Sequence, residues 1–390
     1  MNGNHGDERL RRLARRHAAG QVHGRSRLRR RRANYAASSD RLQVLTLVAS
    51  TLPGLAAVAA LLFTWVAVGQ ANKELRIAEE GQITNRFNAA IGNLGSKSLD
   101  IRLGGIYALQ RIMQDSSRDQ PTIVSVLSAY VRDHAAIPVT PKDEDLTANA
   151  STDIRAAMAV LGGRPPGLDG TTIVELPNTH LTGVSMVRPP LRNAALSESV
   201  LAYAELDGAD LTGADLTYAE LIGANLIDSD LDRAHLTGAS FVVASPRGST
   251  LRNAELDFCS LLGTDLSKAD LRKASLTLTS LYGTRFFGAD LREANLSKAM
   301  RDFRSDTEVW GVSASDPKRD YTDFTKANLS GANLRGADLT GAKFINARLE
   351  GVDLRDAVLV NADFTGADLR EARLDGAKRD GARGLPSVRS

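Results

Sequence analysis

Apolar residues recur at every fifth position through much of the C-terminal half of the chain. Between Leu176 and Leu296, steps of five reach 25 positions. Leu occupies 21 of them, and the other four are Met186, Phe241, Pro246 and Phe286. A second run, from Phe324 to Leu374, has 11 centres that are all Leu or Phe. An α-helix repeats about every 3.6 residues and a strand every two, so neither element produces a period of five.

The residues around each centre repeat as well. A small residue, most often Ala, stands two positions before the centre, as at Ala204, Ala209 and Ala214. Asp, Asn or Glu often precedes the centre, and Gly often follows two positions after it. This pattern predicts a solenoid that turns a corner every five residues, with the centre and the small residue pointing inwards. Four faces close a coil of about 20 residues, and stacked coils pair about 4.8 Å apart. The 36 centres predict about nine coils, in a rod on the order of 40 Å long.

The two runs are out of phase, because the first falls on numbers ending in 1 or 6 and the second on numbers ending in 4 or 9. We assign the runs to residues 171–299 and 324–381, with an excursion at 300–323 and a tail at 382–390. Removing residues 300–322 would restore an unbroken run of repeats, so the shortened protein is expected to be at least as stable as the parent.

The excursion carries apolar residues among charges in a chain with few aromatics. Loops that interrupt a solenoid often hold its binding surface. Asp306, Val309 and Trp310 are therefore the candidate partner-binding residues. A solvated bulge without a function is the alternative.

A long uncharged segment precedes the repeats. No charged residue occurs between Leu42 and Asn72, and about 20 apolar residues span a bilayer core. We predict a transmembrane helix over 42–70, in which Pro53 is tolerated and Trp65 lies near the far interface. A buried core helix and a cleaved signal peptide are the alternatives, although the apolar run is too long for a typical signal peptide.

The charges that flank this segment predict its orientation. Residues 1–41 contain 12 Arg, no Lys and three acids, which gives this arm a formal charge of +9. Because the whole chain has a net charge of +3, the remaining residues carry a net charge of −6. The positive-inside rule places this arm, expected to be disordered, in the cytoplasm. A single crossing then puts the repeats outside. A re-entrant hairpin at Pro53 would keep them inside, and the arm itself could lie on anionic lipid head groups.

Helical spacing dominates the region between the membrane segment and the repeats. Apolar residues three or four positions apart predict three short helices within 71–135, with Gly95 ending the first and Pro121 near the start of the third. Residues 136–170 read as a polar linker and a capping helix that begins near Ser151. A small helical bundle therefore leads into the solenoid.

The sequence shows no motif for catalysis, a cofactor or a metal. The single cysteine, Cys259, excludes an internal disulfide and occupies the small inward position, so we interpret it as structural. Acidic residues such as Asp210 and Asp230 recur with the repeat and are interpreted as a solvated face, with cation binding as the alternative. No catalytic residue, cofactor or metal site is predicted.

The repeat A(D/N)LxG, clearest in GADLTGADL from Gly208 to Leu216, resembles that of the pentapeptide-repeat family. The resemblance implies a β-solenoid, a right-handed quadrilateral β-helix, preceded here by a transmembrane helix and a small α-helical bundle. The helical segment before the repeats also resembles that of membrane-anchored bacterial members, especially actinobacterial ones. This resemblance indicates architecture more than function.

Two functional classes compete. The first is a non-catalytic, membrane-anchored interaction scaffold that binds an unidentified protein partner. The second is a DNA mimic that binds or protects a type II topoisomerase, as some soluble members of the family do. Mimicry needs a dense negative surface, but residues 171–300 carry 16 acids against 11 bases, and 324–381 carry nine against nine. The scaffold is therefore favoured. Nucleic acid is not expected as a partner, and homo-oligomerisation is left open.

Overall fold

The structure is a computed structural model that describes residues 7–138, 147–301 and 321–385. The chain divides into two compact units between Gln82 and Ile83. The first unit contains most of one long helix. The second contains a small helical bundle and the repeats.

Helix α1 spans Asp7–Leu94 and makes up the described part of the first unit. The arm that the sequence predicts to be disordered is helical from Asp7 onwards, in keeping with its many Arg and Ala residues, which are strong helix formers. The part of α1 from Leu45 onwards contains a window of mean hydropathy 2.0 whose side chains are exposed. Within the described residues, this is the one helix long and apolar enough to cross a membrane.

Among the described residues of the second unit, three further helices follow the end of α1. They are α2 (Leu99–Asp115), α3 (Gln120–His134) and α4 (Thr152–Gly162), and a single 3-10 turn joins α2 to α3. Leu109 of α2 and Leu127 of α3 are fully buried in the core that these helices share with the repeats. The helices predicted between 71 and 135 are therefore present, although the first of them is continuous with the apolar segment.

A buried carboxylate ties three of these helices together. Asp153 at the start of α4 accepts hydrogen bonds from Tyr130 Oη (2.5 Å), Arg102 Nε (2.7 Å) and Ser151 Oγ (2.6 Å). Burial alone would raise the pKa of Asp153, but these three donors outweigh it and hold the pKa well below its usual range. Burial, together with the hydrogen bond to Asp153, raises the pKa of Tyr130 to about 12.

The repeats form a four-sided coil. Parallel β-bridges join residues 20 positions apart, one on each face, as in Asp210 with Asp230 and Asp215 with His235. Leu211 N donates to Asp230 O at 2.7 Å, and Asp230 N donates to Ala209 O at 2.8 Å. Each face contributes a single bridged residue, so the described repeats contain no continuous strand. The coil of 20 residues is as the sequence predicts.

The interior is filled by the two positions that the sequence assigns to it. The centres and the small residues before them are almost all inaccessible to solvent, including the nearly invariant Leu and Ala. Phe286, Phe324, Phe344 and Phe364 stack in one internal column, with centroid separations of 4.9, 4.9 and 4.6 Å. Pro246 has no N–H to donate to the next coil, and the bridge expected between Ser245 and Asp265 is missing from the described repeats.

The offset between bridged residues changes once along the repeats. It is 20 for Ser280 and Met300, and 38 for Arg285 and Asp323, after which it returns to 20. The interruption therefore adds 18 residues to one coil. Met300 before the interruption and Asp323 after it are both bridged to the coil, so these two residues, which the sequence assigns to the excursion, belong to the coil.

The two ends of the solenoid differ. At the first coil, α4 packs so closely that a Cβ on Gly162 would lie 2.8 Å from Met186 Cγ. At the last coil, the inward residues Leu369 and Leu374 are only half-buried. The N-terminal end is covered by a helix, whereas the C-terminal end exposes part of its core.

Candidate interaction surface

Three residues of each repeat point outwards: the one before the centre and the two after it. The one before the centre is often Asp or Asn, and its side chain accepts a hydrogen bond from the backbone N–H two residues later. Thr212 N donates to Asp210 Oδ1 at 3.1 Å, and Ser267 N donates to Asp265 Oδ1 at 3.0 Å. These recurring acids therefore stabilise the corners. No cluster of three or more ligands for a metal occurs among the described residues.

One column of outward positions carries exposed apolar side chains. The exposed Tyr218 and Phe258 and the half-buried Leu278 lie on the same face, two positions after their centres, and we call them the aromatic strip. Tyr218 is 61% exposed and Phe258 is 53% exposed. All three have a left-handed backbone, with φ of 58°, 62° and 57°, a conformation that glycine adopts more readily.

A second column is apolar but shielded. Ala202, Ile222, Val242, Leu262 and Tyr282 each follow a centre directly on five successive coils, and we call them the shielded column. The first four are 0–6% exposed and form a hydrophobic cluster separate from the interior, with Tyr282 packed against it. An equivalent residue on another face, Ile227, is 38% exposed. Outward positions of this column are therefore as protected from solvent as the core.

The excursion begins and ends beside the shielded column. The Arg301 guanidinium lies between two rings, 5.8 Å from the centroid of Tyr282 and 5.2 Å from that of Tyr321. The predicted partner-binding residues Asp306, Val309 and Trp310 lie outside the described residues. Their role as partner-binding residues stays a prediction.

Cys259 lies at the small inward position and is 1% exposed. Its Sγ donates to Leu236 O of the preceding coil at 2.9 Å. Burial raises the pKa of its thiol well above the usual range, so the thiolate needed for nucleophilic chemistry is disfavoured. Thr264 and Thr284 occupy equivalent positions and donate to the preceding coil in the same way.

Surfaces of this kind follow a period of 20 rather than five. Steps of five along the sequence identify the core residues, but they do not show which outward residues share a face. Steps of 20 from Ala202 identify the shielded column. Steps of 20 from Arg252 reach Arg272 and Arg292, so three arginines stack on the opposite side of the coil. We call these three residues the arginine ladder.

Comparisons with known proteins agree with this architecture. A family model described as pentapeptide repeats matches the chain in eight copies, within residues 191–226, 229–267, 259–297, 320–356 and 347–382. Among curated proteins, none matches the sequence.

Several solved structures are similar to the repeat region. One is HetL, a pentapeptide repeat protein involved in heterocyst differentiation regulation from the cyanobacterium Nostoc sp. strain PCC 7120. It is 30% identical, with 54% of this chain and 86% of HetL covered and a TM-score of 0.29. A pentapeptide repeat protein from the Arabidopsis thaliana thylakoid lumen is also 30% identical, with 32% and 71% covered and a TM-score of 0.21.

A more distant similarity is to QnrB1, a plasmid-mediated fluoroquinolone resistance protein. The full-length structure is 19% identical, with 51% of this chain and 89% of QnrB1 covered and a TM-score of 0.32. At this identity the likeness concerns the repeat fold alone.

Proposed function

This chain belongs to the pentapeptide-repeat family, and we propose that it is a non-catalytic, membrane-anchored scaffold that binds a protein partner on the outer faces of its repeats. Family membership implies a right-handed β-helix for the repeat region. Cross-coil hydrogen bonds hold every face of this coil in place, so outward side chains are presented on a rigid support.

The aromatic strip is the observation that carries the proposal. Tyr218 and Phe258 expose large apolar surfaces, and aromatic residues are enriched where proteins bind one another. Their left-handed backbone would cost less with glycine, which occupies many equivalent positions in this chain. Large apolar side chains that are exposed at these positions support a binding role for this face. Asp306, Val309 and Trp310 are proposed as a second contact with the partner.

Helix α1 supports the membrane anchor. Its apolar window is exposed along its length, as expected of a segment whose solvent is lipid. The 12 Arg of residues 1–41 favour a cytoplasmic N-terminus, and one crossing then places the repeats outside. A cleaved signal sequence would also release the repeats outside, but would leave them soluble.

Labelling in intact cells tests this arrangement. Cys259 is buried, so replacing it by Ala and adding a cysteine at Ser390 gives a single accessible thiol. The proposal predicts that a membrane-impermeant maleimide labels this cysteine without lysis, and that the labelled protein sediments with membranes. Labelling only after lysis would contradict an outward scaffold. Labelled protein in the soluble fraction would show a signal sequence instead of an anchor.

Topoisomerase binding by DNA mimicry is the alternative function. It requires a dense negative surface facing the cytoplasm. Residues 171–300 carry only five more acids than bases (16 against 11), and several carboxylates are neutralised by paired arginines, as in Arg272 with Asp270 and Arg292 with Asp290. A cytoplasmic location in the labelling experiment would favour this alternative over the scaffold.

A homo-oligomer also stays open as an assembly state. The half-buried Leu369 and Leu374 leave the last coil with apolar area that a second copy could cover. Light scattering of the detergent-solubilised protein, with a Leu374→Asp variant as the comparison, would report whether two copies associate through this end.

A further inference from the structure

The arginine ladder forms a groove on the outside of the solenoid, opposite the shielded column. Arg252, Arg272 and Arg292 follow their centres on three successive coils, about 4.8 Å apart from one to the next. Together with Asn253, Lys273 and Glu293 they line a polar groove of about 400 Å³. Neither catalysis nor the aromatic strip accounts for it.

Each guanidinium is fixed in orientation by a carboxylate beneath it. Arg272 donates through Nε (2.8 Å) and Nη2 (2.7 Å) to Asp270. Arg292 donates in the same way to Asp290, at 2.9 and 2.6 Å. Arg252 pairs through Nη2 with Asp232 on the preceding coil. The planar two-point pairing of Arg272 and Arg292 holds their guanidinium groups in place before a ligand arrives, whereas Arg252 is held through Nη2 alone.

In the arginine ladder, the positively charged groups are more exposed than the negatively charged ones. The arginine side chains are 43%, 39% and 46% exposed, whereas Asp232, Asp270 and Asp290 are 15%, 26% and 29% exposed. A ligand entering the groove therefore meets guanidinium groups first. Among the described residues, Nη1 of each arginine has no hydrogen-bond partner, so three Nη1 groups, each with two N–H bonds, remain in a row. Lys273 adds a cation, and it pairs with Glu293 at 3.7 Å.

We propose that the arginine ladder binds an acidic helix of the scaffold's protein partner, with carboxylates spaced four residues apart. Residues four apart on a helix lie about 5–6 Å from one another, close to the coil spacing of about 4.8 Å. Flexible Glu side chains absorb the remaining mismatch over three rungs. The net negative charge of residues 171–300 repels both ligands at long range, but it repels a long polyanion such as nucleic acid more strongly than a helix with a short local row of carboxylates.

This inference rests on the proposed scaffold function and concerns the face of the solenoid that carries the arginine ladder. The probe is a fluorescent alanine-based helical peptide with Glu at three positions four residues apart, titrated against the detergent-solubilised full-length protein and followed by anisotropy. The matched peptide carries Gln at the same three positions. We expect binding of the Glu peptide, at least tenfold weaker binding of the Gln peptide, and at least tenfold weaker binding of the Glu peptide to an Arg252→Gln, Arg272→Gln, Arg292→Gln protein.

A second triple variant separates the ladder from overall charge. Arg132→Gln, Arg355→Gln and Arg370→Gln remove three arginines that also pair with acids but do not share a column of the coil. This protein should bind the Glu peptide as the parent does, and circular dichroism checks that both variants are folded. If the ladder variant is misfolded, the test uses the parent protein instead. Release of the bound Glu peptide is then measured after addition of 0.3 M NaCl and, separately, of short duplex DNA. Peptide released by salt but not by DNA supports the proposal.

Several results would overturn it. They are no binding of the Glu peptide, equal losses in the two triple variants, or displacement of the peptide by duplex DNA at lower concentration than by unlabelled peptide. Outward labelling of Ser390→Cys together with a failed peptide titration would reject the ladder while leaving the scaffold in place.

Discussion

The ring of Tyr218 lies over Gly238, the residue one coil further along the same column. Tyr203 over Gly223 and Tyr321 over Gly341 repeat the arrangement. Glycine at these positions has a left-handed backbone and also leaves room for the side chain from the coil before. A bulky outward residue is therefore accommodated where the residue 20 positions later in the coil is a glycine, because its side chain packs over that glycine.

Gly238→Ala should therefore destabilise the protein more than the same change at Gly288. Both have positive φ, 72° and 66°, which costs an alanine about 1 kcal/mol. A Cβ at Gly238 would also overlap the Tyr218 ring, whereas at Gly288 it would meet nothing within 4 Å. We expect Gly238→Ala to lower the free energy of unfolding by about 1–3 kcal/mol more than Gly288→Ala. Denaturant melts of detergent-solubilised protein measure the difference, and adding Tyr218→Ala should abolish it.

Ile222→Asp should behave as a core substitution although the residue points outwards. Ile222 is 3% exposed within the shielded column, so the new carboxylate would lose its water without gaining a partner. We expect a loss of about 3 kcal/mol or more. Ile227→Asp is the matched control, because the same change at a half-exposed outward position should cost less than about 1 kcal/mol. Equal losses at both positions would show that the column is accessible to water.

Much of the solenoid could be predicted from sequence because one strong period encodes it. The centres and small residues repeat every five positions, and burial follows from the repeat alone. The shielded column could not be predicted in the same way, because Ala202 and Ile222 are apolar at positions that are polar on other faces. Their burial depends on which residues share a face after the coil closes, a relation that appears only at a separation of 20.

The division of residues between coil and excursion is a second feature that could not be predicted from the sequence. Leu296 and Phe324 are 28 positions apart, and the sequence is compatible with several divisions of that length between coil and loop. Hydrogen bonds decide among them, since the offset of 38 between Asn295 and Asn333 assigns 18 residues to the loop. The helical conformation of the arm before the apolar segment could not be predicted either, because high charge favours disorder while Arg and Ala favour helix.

The offset predicts different outcomes for two deletions. Removing 302–319 restores an offset of 20 and keeps Phe324 under Phe286. Removing 300–322 deletes one further repeat and turns every later face by one corner, so Phe324 would stack under Leu281 instead. The expectation that the longer deletion is as stable as the parent is therefore revised.

We expect the shorter deletion to unfold at the parent's midpoint, and the longer one to lose about 1 kcal/mol or more with the broken Phe286–Phe324 stack. Thermal melts followed by circular dichroism compare them. A longer deletion that is the more stable of the two would contradict the assigned register.

The buried carboxylate of the helical bundle predicts a pH dependence. The pKa of Asp153 is lower in the folded protein than in the unfolded chain, so its contribution is present above about pH 4 and is lost as pH falls further. The pKa of Tyr130 is raised to about 12, so its contribution is lost as pH rises above about 10.

Asp153→Asn should flatten the acid limb of stability against pH, and Tyr130→Phe the alkaline limb. Denaturant melts between pH 2.5 and 11 measure both limbs. Asp115→Asn serves as the control, because Asp115 forms its ion pair with Arg86 at a more exposed position. An acid limb that is unchanged by Asp153→Asn, or equally flattened by Asp115→Asn, would exclude Asp153 as its source.

Site-specific photo-crosslinking in native membranes tests the scaffold most directly. A photoreactive amino acid replaces Phe258 in the aromatic strip, and the control replaces Val187, an exposed apolar residue on another face. Mass spectrometry of the ultraviolet-induced adducts identifies what each position touches. We predict a discrete heterologous protein adduct at Phe258 that is much weaker at Val187 and is lost when Tyr218 is changed to Ser. No adduct at Phe258, or one of equal yield at Val187, would contradict a partner-binding scaffold with this surface.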